Sequence, residues 1–393
     1  MLNNSKQIKF SRYLSVLLLT TIFLSCSKKE QQNSIIIKTQ NEVFFTKFTK
    51  VDSINPILNP SADLQFIDPI TGVSAKWEER NVLNPTAVIK DGKVYLMYRA
   101  QDLNGTSRIG MAVSEDGLHF KKIEAPILYP DNDAMKVYEW NYKKSEAKQT
   151  NSKDCYFCYF DGVEDPRIVE SNSGLYIMTY TSYDGKTARL SLASSRDLKN
   201  WTKHGLVLKD EKYKNLWSKA GAIVSRLEGN KMIATQIEGN YWMYFGDTNI
   251  FMATSTDLIH WEMAINEEFK KPISVLHPRM GYFDSRLVEP GPYALLRDEG
   301  ILLIYNGSNA SNFNDPSLPK FTYAAGQALF DKNKPYKLID RTESYFIHPD
   351  KDYEKIGEVN EVCFVEGLVF FKNKWFLYYG TADSKIAVAT SEE

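Results

Sequence analysis

Five times along this chain, a turn bearing Gly or Asn leads into a short run of aromatic and aliphatic residues with tyrosine near its end. The instances are residues 91–100 (DGKVYLMYRA), 173–182 (SGLYIMTYTS), 239–247 (GNYWMYFGD), 299–307 (EGILLIYNG) and 373–383 (NKWFLYYGTAD). Each reads as a buried strand entered through a tight turn. Three are followed by a companion segment: SEDGLHF (114–120), SSRDLKNW (194–201) and STDLIHW (255–261). Here an Asp is placed to cap a turn and the terminal aromatic to pack between sheets. Recurrence at a spacing of 60 to 80 residues, carried by short strands, predicts radial repetition of four-stranded sheets. The expected fold is all-β, a five-bladed β-propeller over residues 41–393. Long helical periodicity is absent, which argues against a TIM barrel or a doubly wound sheet. Residues 128–161 fit no strand of the pattern and read as a long inserted loop at the mouth of the channel.

The N-terminal segment reads as targeting. Lys6, Lys9 and Arg12 precede an apolar stretch, residues 13–24, that is too short to span a bilayer. It stops at Ser25-Cys26, before the polar run SKKEQQNS. A small residue before a Cys at this point resembles a bacterial lipobox, with Phe23 where Leu is usual. The expectation is a signal peptide over residues 1–25, an acylated Cys26 and a polar linker over 26–40. The mature chain would be an exported lipoprotein, on the periplasmic or cell-surface side of the outer membrane. Cys155, Cys158 and Cys363 remain, an odd number that implies no disulfide framework. The CYFC spacing has no second pair beside it, and no GxxxxGK loop occurs, so neither metal nor cofactor is expected. Lys plus Arg (48) nearly balances Asp plus Glu (49), which gives no field favouring nucleic acid. A neutral polar ligand suits that balance, and 13% aromatic content suits both sheets and sugar stacking.

The sharpest local signal is GVEDPRIV, where Glu164 and Asp165 precede Pro166 and Arg167. By itself it is equally an Asx-turn with a surface ion pair. It occurs, however, in a fixed series with NPTAVIKDGKVYLMYRA, SRIGMAVSEDGLHF, TYTSYDGKTARLSLASS, GDTNIFMATSTDLIHW, FDSRLVEPGP and YYGTADSKIAVA. From about Asn84 to Thr390 this series resembles glycoside hydrolase family 130, the β-mannoside phosphorylases and their hydrolytic relatives. The resemblance implies that Asp165 is the proton donor. It implies that Asn84, Arg99, Arg108 and Asp383 line the pocket for the mannose at the scissile bond. Arg167 and Asp284 are further sugar-binding candidates, and Arg189 with Lys219 match phosphate-side positions.

The chain departs from the phosphorylase pattern at several points. Where those proteins read roughly MYHR, this one has Met243-Tyr244-Phe245-Gly246. Glu289 stands where they usually carry Gly, and Glu366 where they carry a small neutral residue. A carboxylate there repels phosphate and can deprotonate water, the base that inverting hydrolysis needs opposite its acid. An exported enzyme would also lose any sugar phosphate it made. The expectation is an inverting hydrolase of β-mannosides, with β-1,2 linkages implied by the resemblance. Glu289 is favoured as base ahead of Glu366. Phosphorolysis and non-catalytic glycan binding are the alternatives.

Overall fold

In the computed structural model, residues 43–144 and 160–392 are described, all within one compact unit, Gln40–Glu393. Cys26, the leader and linker, and Cys155 with Cys158 lie outside the described residues. The described chain is overwhelmingly β, with helix confined to single turns such as Lys136–Glu139 and Asp352–Lys355.

The strands fall into antiparallel groups built by local hairpins. The first group runs Asn81–Lys90, Lys93–Gln101, Thr106–Ser114 and Lys121–Lys122. Its opening hairpin turns on Asp91-Gly92, both at positive φ (49° and 72°), with Lys90 opposite Lys93. That is the two-residue turn whose twist matches the strands, and Gly removes the steric penalty at its second position. The second group runs Asp161–Glu170, Tyr176–Tyr183, Ala188–Ser195 and Thr202–Leu206. A third joins Ala222–Glu228, Tyr241–Phe245, Ile250–Ser255 and Trp261–Met263. A fourth joins Leu287–Pro290, Ile301–Ser308, Tyr323–Phe330 and Leu338–Arg341. In the last, Cys363–Phe371, Lys374–Thr381 and Lys385–Ser391 are completed by the N-terminal pair Thr49–Lys50, which lies against Thr390 and Ala389.

The companion segments form one turn three times. Asp116, Asp197 and Asp257 each accept from two backbone amides, two and three residues ahead. Ser114, Ser195 and Ser255 brace them, each also taking the amide three residues on. The aromatic that ends the segment packs as expected: Trp201 and Trp261 donate to the carbonyls of Leu198 and Leu258, and Phe120 meets Tyr378 edge-on at 5.7 Å.

Apolar side chains fill the space between neighbouring groups. Trp77, Tyr98, Phe376 and Tyr378 belong to one such cluster, and all are buried. The inner strands, such as Lys93–Gln101, Tyr176–Tyr183 and Ile301–Ser308, are covered on both faces, so they read as near-continuous apolar runs rather than as an alternation. Asp161–Glu170 is buried at every position although it carries Asp161, Glu164, Asp165 and Glu170. A strand that buries this many charges must supply each with a partner, and those partners build the site.

Candidate active site

Residues from or next to strands of all five groups meet at one cavity of about 430 Å³. Asn84 comes from the first group, Glu164 and Asp165 from the second, and Glu289 from the fourth. Lys219 precedes the third group, and Asp383 lies in the turn after Lys374–Thr381.

Local backbone geometry explains how residues in regular strands are aimed inward. Pairing slips between Leu83 and Pro85, between Glu164 and Arg167, and between Val365 and Gly367. Each slip is a bulge, which re-aims a side chain. Asn84 (φ 48°) and Asp165 (φ 50°) sit in two of them in the left-handed region, as does Asp383 (φ 48°) in its turn. Non-glycine residues held there cost about 1 kcal/mol or more each, so the surroundings must fix them. Arg167 is one such fixture. Its guanidinium donates to the carbonyls of Asp165 (3.1 Å), Pro290 (2.8 Å) and Gly291 (3.0 Å), lashing the Asp165 bulge to the strand end that carries Glu289. The Asn306 side chain does the same beside Glu366, exchanging two hydrogen bonds with the Val365 backbone.

Asp165 accepts from Asn84 (2.9 Å) and Arg99 (3.3 Å) on Oδ1, and Lys219 Nζ stands 3.2 Å from Oδ2. Burial alone would raise its pKa. Lys219, then Arg99 and Arg167, and the Asn84 hydrogen bond reverse that and hold it well below the usual carboxylate range. Arg99 also pairs with Glu164 at 2.7 Å, and burial pushes Glu164 up. Burial pushes Asp383 up to about 6, against the pull of Arg99.

Glu289 is buried in the cavity wall, and among the described residues its Oε1 has no hydrogen-bond partner. Burial raises its pKa to about 7 despite Lys219 and Arg167. Glu366 lies behind the wall, outside the cavity lining, fully buried and 2.9 Å from Arg167 Nη2. Burial pushes it well above the ordinary glutamate value, and neither of its oxygens has an aligned donor among the described residues.

The remaining sequence candidates do not line this cavity. Arg108 is buried between Asp68 (2.6 Å) and Asp102 (2.9 Å) and borders a different cavity, beside Trp140 and Lys144. Arg189 is taken up by Asp184 and Asn215. Asp284 is held by Arg279, Arg341 and the Tyr305 hydroxyl. Arg167 and Glu366 support the wall instead of forming it. Sequence reasoning missed other lining residues: Tyr183, Trp217, Arg286, Tyr323 and Glu358. Tyr183 and Arg286 lie inside the segments TYTSYDGKTARLSLASS and FDSRLVEPGP, whereas Trp217, Tyr323 and Glu358 lie in no motif and nothing local marks them.

Five carboxylates face the cavity (Glu164, Asp165, Glu289, Glu358 and Asp383) against three cations (Arg99, Lys219 and Arg286). Arg99 and Lys219 are already paired with acids, and Glu358 with Arg80. The Met243–Gly246 segment contributes no cation. Phe245 is buried against Phe251, and the Gly246 amide donates to the Lys219 carbonyl. A Cβ at Gly246 would stand 2.2 Å from the Asn249 carbonyl oxygen, so a larger residue would require that loop to move. Among the described residues, no cluster of His, Cys, Asp and Glu is arranged to hold a metal ion.

A carboxylate-rich cavity at the convergence of strand ends supplies the paired acids that glycoside-cleaving proteins use. The comparisons make this specific. The profile described as beta-1,4-mannooligosaccharide phosphorylase matches residues 56–393, and the chain belongs to glycoside hydrolase family 130. It is 28% identical to a 1,2-beta-oligomannan phosphorylase of Thermoanaerobacter sp. (strain X514), over 86% of this chain and 96% of that one. Among solved structures, a glycosyl hydrolase from Bacteroides ovatus is 39% identical, with a TM-score of 0.82, over 90% of this chain and 96% of that one. A chain solved in connection with family members that are glycoside hydrolases targeting β-1,2-mannosidic linkages in Candida mannan is 40% identical. Its TM-score is 0.81, over 88% of this chain and 94% of that one.

Proposed function

We propose that this protein is an inverting hydrolase of β-mannosides, acting on β-1,2 linkages, with Asp165 as proton donor and Glu289 as the base that activates water. The observation that carries this reading is Glu289. It is a buried carboxyl in the wall of the cavity that holds Asp165, protonating at about 7, with an Oε1 that accepts no hydrogen bond among the described residues and has Arg167 Nη2 at 3.8 Å. A base poised near neutral pH is what deprotonation of water requires.

The balance of charge supports hydrolysis over phosphorolysis. A phosphate dianion entering among five carboxylates would meet two of the three cations, Arg99 and Lys219, already engaged. The relative from Thermoanaerobacter is named a phosphorylase, and Lys219 matches a phosphate-side position, so phosphorolysis stands as the second reading. The higher identity to the hydrolase-associated structures, 39–40% against 28%, favours the first.

In the free site Asp165 is ionised, the reverse of what a donor needs. Its ion pairs must loosen when sugar binds. Lys219 and Arg99 both face the cavity, and sugar hydroxyls compete for them as acceptors. We read the five antiparallel groups as blades of a five-bladed β-propeller. We read residues 1–25 as a lipoprotein leader and Cys26 as the acylated first residue of the mature chain, which a Cys26→Ser variant tests by its loss from the membrane fraction. Turnover of β-1,2-mannobiose with and without inorganic phosphate tests the reaction itself.

A further inference from the structure

Six of the seven tryptophans are buried or half-buried; Trp217 is 47% exposed and lines the cavity. It is nonetheless held in place. Its indole N–H donates to Asp247 Oδ2 at 2.6 Å, and its ring meets Tyr183 edge-on, centroids 6.3 Å apart at 71°. An indole left in water forfeits apolar burial, and fixing it in one orientation sacrifices rotamer entropy. The return on such a side chain comes when a ligand covers its face, because a pre-positioned platform loses little further freedom on binding.

We infer that Trp217, steadied by Asp247 and Tyr183, is the stacking platform for a second pyranose ring on the leaving-group side of the scissile bond. The ligand class is a β-linked oligosaccharide of at least two sugars. The placement follows from the chain. Lys219, two residues beyond Trp217, contacts Asp165, so the platform adjoins the reacting position. Asn84 and Asp165 are buried and form the floor, Asp383 is partly buried beside them, and Trp217 stands where the cavity meets solvent. A sugar seated on that floor sends the rest of its chain past the indole. The face of an indole is electron-rich, and the axial C–H groups of a pyranose are its natural complement.

This inference rests on the β-mannosidase reading, and the experiment separates the two. Wild type, Trp217→Ala and Trp217→Phe are compared on β-1,2-mannobiose and on β-mannosyl fluoride, whose leaving group has no ring to stack. Trp217→Ala should lower the ratio of kcat/KM for mannobiose to kcat/KM for fluoride about tenfold, chiefly through KM, with Trp217→Phe recovering part of it. Equal losses on both substrates, or no change in the ratio, would overturn the platform. Wild-type turnover of neither substrate would overturn the mannosidase reading, and this inference with it.

Discussion

Lys219 Nζ lies 3.2 Å from Asp165 Oδ2, in the wall of a cavity that also contains Glu289. One ammonium therefore acts on both members of the proposed catalytic pair. It helps hold Asp165 ionised and pulls the pKa of Glu289 down from where burial alone would put it. The charge states of acid and base thus both depend on a single side chain.

Asp165→Asn keeps the shape and the Asn84 contact but removes the transferable proton. It should lower kcat on an unactivated mannoside by at least ~10²-fold while leaving the melting profile cooperative. A rate within a few-fold of wild type would take Asp165 out of the reaction.

The pH dependence has a definite sign. A base works deprotonated, so activity should fall as pH drops through the Glu289 pKa, which burial places at about 7. The kcat/KM profile, which reports the free enzyme, should show an acidic limb there. Lys219 lowers that pKa, so Lys219→Met should move the limb to higher pH. A limb that stays in place in that variant would assign the titration to another group.

Glu289 also links pH to stability. Its pKa is raised on folding, from 4.5 to about 7, so the folded state is penalised as pH rises through that window. The penalty is complete above pH 7 and absent below about pH 4, and a shift of this size is on the order of 3 kcal/mol. Glu289→Gln should therefore be more stable than wild type at pH 8 and equal to it at pH 4. Denaturant titrations at the two pH values check this without any substrate. A stability gain of the same size at both pH values would mean that the effect is packing and not charge.

The two added glutamates should separate. Glu289→Ala should nearly abolish hydrolysis, and azide should restore turnover with formation of the α-glycosyl azide, because truncation leaves space and removes repulsion. Glu366 faces Arg167 behind the wall, so Glu366→Ala should act more weakly and without azide rescue. The opposite ranking would move the base to Glu366.

Much of this was legible in the sequence because it is local. The Asp91-Gly92 hairpin and the Ser-x-Asp turns at 114, 195 and 255 are fixed by residues within three or four positions of one another. Asn84, Asp165 and Glu289 each precede a proline, a residue that cannot donate to the ladder and so marks a strand's irregular point. Arg108 and Asp284 were read as pocket residues because a lone Arg or Asp carries no mark of its partner. Asp68 lies 40 positions before Arg108, and Arg341 lies 57 after Asp284. Only the fold shows those charges to be spoken for. Trp217 was invisible for the converse reason: its importance is its exposure, and the loop that exposes it follows no repeat.

In the proposed reaction water, not phosphate, receives the mannosyl group. Proton NMR of β-1,2-mannobiose turnover, begun in phosphate-free buffer and repeated with phosphate, reads this directly. Rates should be equal in both buffers, with α-mannose as the first-formed anomer from the cleaved sugar. Dependence on phosphate with formation of α-mannose 1-phosphate would contradict hydrolysis and make Lys219 part of a working phosphate site.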